Sequence, residues 1–216
     1  MKLYSVDLSP YATRVRIQIR MKNLPIEILP PPEQLRTPEF RAKFTLGKIP
    51  VLELPDGSYI PDSWVIMGYL EDTHPETPLR PTAARARADM NLLARFADTY
   101  LTPTLFPLFQ AFANMPNEEG KKAHADNLKI EVAKLDALLS ELPDYTDRDI
   151  HLGDIALAPN LFLAIALAPM FGEADLLSDL DNIRGYWQYL NTQTEIKKGV
   201  DEMSVALKVM MGDFKA

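Results

Sequence analysis

Between His74 and Pro81 the chain sets three prolines in eight residues, a stiff connector of the kind that separates folding units. The two sides of it follow different hydrophobic periods. Upstream, short apolar runs of strand type alternate with helical ones; downstream, every patterned stretch is helical. The expectation is an α/β unit over residues 1–78 followed by an all-helical unit over 83–216.

In the first unit, Lys2 to Val6 reads as a strand and Pro10 to Lys22 as a helix, with Val15, Ile19 and Met21 among its apolar positions. Leu24 to Leu29 returns to strand character. Pro30, Pro31 and Pro32 then impose an irregular loop, because proline fixes φ and has no N–H to donate. Val51 to Leu54 and Ser58 to Ile60 flank the turn Pro55-Asp56-Gly57 and predict a hairpin. A helix from Ser63 to about Thr73 closes the unit.

Beyond the connector, Thr82 to about Ala113 predicts a long helix kinked or split by Pro103 and Pro107. Glu118 to Leu142 is amphipathic. Ile155 to Leu167 is apolar on all sides, as a helix buried among other helices must be, and Asp154 suits the exposed amides at its start. Helices over about Asn182 to Thr192 and Glu195 to Met211 end the chain.

Composition removes several function classes. The chain has no cysteine, so disulfides, thiolate metal sites and an enzymatic cysteine nucleophile are excluded, and any thiol chemistry must use a thiol brought by a ligand. His74, His124 and His151 stand at no metal-binding spacing, so no metal site is expected. A net charge of −7 disfavours nucleic acid, which is held by clustered Lys and Arg. No stretch is long and apolar enough to span a bilayer, since Pro159, Asn160 and Pro169 interrupt the best candidate. The N-terminus lacks a signal peptide's apolar core, so the cytoplasm is the expected location.

Three short segments stand out. Ser9-Pro10-Tyr11 reads as a helix start, serine capping the amides and proline suiting the first helical position. Gly47-Lys48-Ile49-Pro50-Val51 joins a loop to a strand. Asp62-Ser63 precedes Trp64 as another cap. Each is ordinary alone. In this order, together with Val15-Arg16, Leu52, Tyr69-Leu70-Glu71 and Asp154-Ile155-Ala156-Leu157-Ala158, they resemble the cytosolic glutathione transferases along essentially the whole chain. The similarity is to serine-type bacterial members of the zeta-, theta- and nu-like classes.

The resemblance implies a thioredoxin-like N-terminal domain, a C-terminal helical bundle and glutathione as co-substrate. It assigns Ser9 as the catalytic hydroxyl that donates to the glutathione sulfur, with Tyr4 and Tyr11 as nearby alternatives. Pro50 is expected to be cis and to leave the Ile49 backbone free for the cysteinyl unit. Asp62 is expected to meet the γ-glutamyl amine, Ser63 and its helix start the γ-glutamyl carboxylate, and Gln34 and Lys48 the glycyl end or backbone. Tyr11, Tyr100, Leu105, Phe106 and Phe109 are the expected pocket for a hydrophobic electrophile. Relatives of this kind form two-fold dimers, so a homodimer is expected, with neither nucleic acid nor membrane as partner.

Two departures from the family pattern bear on these expectations. His151 stands where Ser or Thr usually begins the buried helix, implying a cap weaker by about 1 kcal/mol. Phe44-Thr45 replaces an Asn-Pro pair before Gly47. Isomerisation, dehalogenation and ether cleavage are alternative reactions of the same machinery, and a non-catalytic interaction protein is the alternative of another class. A thioredoxin-type redox role fails for want of a Cys-x-x-Cys motif.

Overall fold

The computed structural model describes residues 1–111 and 114–213, so the expected helix end near Ala113 and the chain end at Ala216 lie outside the described residues. Four strands, β1 (Lys2–Tyr4), β2 (Glu27–Leu29), β3 (Val51–Glu53) and β4 (Tyr59–Pro61), form one sheet in the order β2-β1-β3-β4. β1 and β2 are parallel, joined through helix α1 (Pro10–Met21); the other pairings are antiparallel. With helix α3 (Ser63–Thr73) this is a thioredoxin-like domain, and a helical domain follows it.

The register decides where a site can form. Leu29 pairs with Tyr4, Tyr4 with Val51, and Val51 with Pro61. Consequently the loop from β1 to Ser9, the loop from β2 through Gln34, the Ile49-Pro50 bond before β3 and the Asp62-Ser63 step after β4 all leave the sheet at one end.

One element was absent from the sequence reading: a short helix, α2 (Pro38–Lys43), lies inside the stretch expected to be irregular. Thr37 caps it, accepting from the Phe40 N–H at 3.2 Å, and Pro38 occupies its first turn. Phe40 is fully buried and packs with Tyr4, Phe44 and Val51 in a small core of its own, which is what holds so short a helix in place.

The connector is pinned rather than free. Lys22 Nζ, almost wholly buried, lies 3.0 Å from Glu71 Oε2 and donates to the carbonyls of His74 and Thr77 at 2.8 and 2.6 Å. Glu71 Oε1 in turn accepts from the N–H groups of Leu79 and Arg80 at 2.7 and 3.1 Å. One buried ion pair thereby satisfies four backbone groups that have no strand or helix to bond with.

The helical domain comprises α4 (Ala84–Phe96), α5 (Thr102–Ala111), α6 (Glu118–Glu141), α7 (Leu152–Leu167), α8 (Asp181–Thr192) and α9 (Thr194–Asp213). The break expected near Pro103 takes the form of a π-helical turn over Ala97–Leu101. Pro103 has no N–H for the carbonyl four residues back and its ring crowds that turn; a wider turn relieves both. Helix α7 carries the core, and α4, α1 and α9 pack around it. With the turn that follows it, residues 152–171 reach the length and hydropathy of a bilayer-crossing segment, yet most of that segment is buried inside the fold.

Helix α7 starts three residues earlier than the apolar run suggested. His151 is its N-cap: Nδ1 accepts from the Asp154 N–H at 3.3 Å when unprotonated and faces Asp154 Oδ2 at 3.0 Å. Asp154 Oδ2 accepts from the His151 N–H at 2.9 Å. The reciprocal box that Ser or Thr would make is therefore kept by an imidazole.

Candidate active site

Ser9 begins helix α1 with extended backbone and a half-buried side chain. Its Oγ accepts from the Ala12 N–H at 3.2 Å, its carbonyl accepts from Thr13 N at 2.9 Å, and its own N–H donates to the Val6 carbonyl at 3.1 Å. Capping consumes an acceptor lone pair only. The hydroxyl proton remains to be donated, at the positive end of a twelve-residue helix.

Tyr4, one alternative donor, is committed elsewhere. Its hydroxyl donates to Glu53 Oε2 at 2.5 Å, and that bond, with burial, pushes its pKa up to about 12.

The Ile49–Pro50 bond is cis, and among the described residues the Ile49 backbone makes no hydrogen bond. Asp62 has φ 72° and ψ 123°, a conformation that costs a non-glycine residue energy. Its Oδ1 repays part of that by accepting from the N–H groups of Trp64 and Val65 at 2.9 and 3.2 Å. Because Ile66 N bonds the Asp62 carbonyl, the one first-turn amide of α3 still free is that of Ser63, a buried residue whose hydroxyl is also unbonded among the described residues.

A cleft of about 790 Å³ opens beside these segments. Of the residues expected around a ligand, Tyr11, Lys48, Ile49 and Phe106 line it, joined by Leu35, Arg36, Arg41 and Thr102. Ser9, Gln34, Pro50, Asp62 and Ser63 are not among its lining residues, and three of the residues expected to face the electrophile point elsewhere. Leu105 is sealed in the core, Phe109 packs half-buried against that core, and Tyr100 stacks on Phe96 with ring centroids 5.1 Å apart, lining a separate hollow against α6. Leu105 and Phe109 stand four residues apart on the stripe of α5 that packs on the core, whereas Thr102 and Phe106, also four apart, stand on the stripe that faces the cleft. A larger groove of about 1150 Å³ between Val6–Leu8 and α9 contains none of the expected site residues.

Arg36 and Arg41 were missed in the sequence. Neither has an acidic partner among the described residues, as is also true of Arg87 and Arg95, whereas Arg14, Arg16, Arg20, Arg80, Arg85, Arg148 and Arg184 all do. With Lys48 they give the cleft three uncompensated cations in a chain of net charge −7. Glu33 and Glu39 each stand three residues from Arg36, so the sequence carried no signal that this arginine goes unpaired.

Residues 3–78 match the family model of the glutathione S-transferase N-terminal domain. Glutathione S-transferase 1 of Dianthus caryophyllus is 31% identical over 204 residues, covering 90% of this chain and 91% of its own. A zeta-class glutathione S-transferase of Euphorbia esula is 31% identical over 76% of both chains. Among solved structures, a glutathione S-transferase from Methylobacillus flagellatus KT with GSH bound superposes with a TM-score of 0.74 at 24% identity, covering 92% of this chain and 98% of its own. Sequence and fold agree, and this chain belongs to the glutathione S-transferase family.

Proposed function

We propose that the protein is a cytoplasmic glutathione transferase that binds glutathione at the open end of the sheet and activates its thiol for attack on a hydrophobic electrophile. Residues 1–78 form the glutathione-binding unit, and residues 83–216 add Thr102 and Phe106 to the wall that faces the electrophile. The observation that carries the reading is the place of Ser9 at the start of α1, where its Oγ accepts from the Ala12 N–H and its proton is not used in that bond.

A free thiol has a pKa of about 8.5 and is only a few per cent ionised at pH 7. Lowering it by about two units needs roughly 2.7 kcal/mol of preference for the anion, at about 1.36 per unit. A hydrogen bond to a charged group supplies about 1.5–3 kcal/mol, and a helix N-terminus about 0.3–1 more. Donation from Ser9 therefore suffices without a general base. Ile49 offers its backbone to the cysteinyl unit as an added strand would be offered one. Ser63, through its free N–H and hydroxyl, takes the γ-glutamyl carboxylate. Asp62 Oδ2 meets the amine, and Pro50 shapes the wall between them. Gln34 and Lys48 lie on the loops where the glycyl end arrives. Tyr11 and Phe106 face the electrophile.

Ultraviolet titration of the bound thiol tests this. The wild type should ionise glutathione well below the free value, Ser9→Ala should restore it by one to two units with about a tenfold or greater loss of turnover, and Tyr4→Phe should change neither by more than about twofold. An unshifted thiol in the wild-type complex would sink the mechanism. Failure to bind millimolar glutathione in calorimetry would favour the interaction protein instead.

Glutathione-dependent isomerisation is the second reading, favoured by the likeness of part of the chain to a maleylacetoacetate isomerase of Dictyostelium discoideum; in such a reaction glutathione is regenerated rather than consumed. We also propose a homodimer, which a monomeric mass by light scattering at micromolar concentration would refute.

A further inference from the structure

Arg14, one turn along α1 from Tyr11, is fully buried. Its Nη2 lies 2.5 Å from Asp98 Oδ1 and its Nη1 3.1 Å from Oδ2, a two-pronged charge-assisted pair between the α/β domain and the helical one. Asp98 belongs to the π turn between α4 and α5, and such turns recur at functional sites. The turn is itself fastened where it runs into α5, the Thr102 hydroxyl donating to the Ala97 carbonyl at 2.9 Å.

On its face, the same guanidinium sits over Tyr11, with its central carbon 4.9 Å from the ring centroid. Its Nε finds no hydrogen-bond partner among the described residues. Arg14 is thus held at its edge by Asp98 and along its plane by Tyr11. Tyr11 lines the cleft on one side, while Thr102 and Phe106 line it from α5.

We propose that the Arg14–Asp98 pair is a clasp that fixes the Tyr11 ring, and with it the spacing between the α1 and α5 walls of the second-substrate subsite. The proposal rests on the functional reading above, in which Tyr11 faces the electrophile. Arg14 is sealed from the cleft, so it acts through Tyr11 and is a positioning residue.

The test is calorimetric and needs no turnover: glutathione reports on the tripeptide site, and S-hexylglutathione reports in addition on the apolar subsite. Asp98→Asn should leave glutathione affinity within twofold while reducing the extra affinity of the hexyl compound about fivefold, the order an aromatic contact carries. Should Asp98→Asn fail to fold, the double variant Arg14→Met/Asp98→Leu removes both charges, leaves no buried ion unpaired, and should show the same loss. Tyr11→Leu should weaken the hexyl contribution alike, and combining it with either clasp variant should add nothing further.

A folded clasp variant that keeps the full hexyl contribution, or whose loss adds independently to that of Tyr11→Leu, would overturn the proposal and leave the pair a stability element. Absence of glutathione binding in the wild type would instead overturn the functional reading itself.

Discussion

Arg16 Nε stands 3.3 Å from Glu202 Oε2, so the helix that Ser9 begins is moored to the last helix of the chain. The rest of the guanidinium faces backwards. Nη1 donates to Ser5 Oγ at 2.6 Å and to the Val6 carbonyl at 3.2 Å, and Nη2 to the Asp7 carbonyl at 3.2 Å. One buried arginine thus holds the segment that delivers the chain to Ser9. Burial pushes its pKa down, and Glu202 and Asp7 oppose that effect.

Arg16→Lys keeps the charge but loses the planar fork. It should reduce kcat/KM for glutathione by about tenfold or more, the cost of a misplaced group near the chemistry. Glu202→Gln should do less, because Glu202 is partly exposed and divides its carboxylate between Arg16 and Arg20. Steady-state kinetics with glutathione as the varied substrate decides this. Equal effects from the two substitutions would show that the mooring, not the hold on the loop, is what matters.

Gly153 sits where α7 crosses α4. A Cβ there would lie 2.3 Å from the Met90 carbonyl oxygen and 3.0 Å from its carbon, and backbone cannot swing aside as a side chain can. Gly153→Ala should therefore part the two helices and destabilise by about 3 kcal/mol or more, at the upper end of overpacking effects. At Gly199, by contrast, the nearest atoms to an added methyl belong to the Ile17 and Thr13 side chains, the closest at 2.8 Å. Gly199→Ala should cost clearly less. Chemical denaturation of both variants makes the comparison, and the ordering Gly153 above Gly199 is the result expected.

The sequence disclosed what repeats or punctuates. The period-2 runs and the Pro55-Asp56-Gly57 turn announced the sheet, and Ser9-Pro10 announced α1, because these signals act within a few residues. The same serine-proline logic was present in Thr37-Pro38 but was masked by the three prolines ahead of it, and α2 depends on the burial of Phe40, a tertiary effect. The apolar run from Ile155 marks α7 three residues late because Leu152 and Gly153 carry no cap signal, whereas the family pattern points to His151, which is the N-cap. Which stripe of α5 meets the cleft was illegible, since Leu105, Phe106 and Phe109 are all apolar and only packing turns Leu105 and Phe109 to the core and Phe106 to the cleft. The pairing of Arg14 with Asp98, 84 residues apart, is visible only after folding.

Asp154 should control acid stability. Burial alone would raise its pKa, but hydrogen bonds from Arg148 at 2.7 and 2.8 Å and the His151 contact reverse this and hold the carboxyl well below the usual range. Tyr186 donates to it as well, at 2.6 Å. A folded pKa below the unfolded value of about 3.9 means that the stabilisation is complete above that pH and is lost progressively as the pH falls below it. The thermal midpoint should accordingly drop below about pH 4. Asp154→Asn should cost about 3–5 kcal/mol at pH 7, as for other broken buried pairs, and should flatten the acid limb. An acid limb as steep as that of the wild type would assign the effect to other carboxylates.

The three cations of the cleft lead to a prediction about glutathione itself. Arg41 arches over Gly47, whose φ of 61° and lack of Cβ admit it: a methyl at Gly47 would lie 3.1 Å from Arg41 Cγ. Arg36 carries its own positive φ of 70°, and Lys48 follows Gly47 in sequence. If γ-glutamyl recognition is the task of Ser63 and Asp62, the anion left for this cluster is the glycyl carboxylate. Exposed cations contribute through screened attraction, of about 1 kcal/mol or less each for single-pronged contacts and more for a forked arginine. Arg41→Gln should therefore weaken glutathione binding about fivefold, and raising the salt should erode the wild-type affinity more than that of the variant. Glutathione ethyl ester, which lacks that charge, should bind wild type and Arg41→Gln equally. If the ester still distinguishes them, Arg41 supports the loop around Gly47 rather than the ligand.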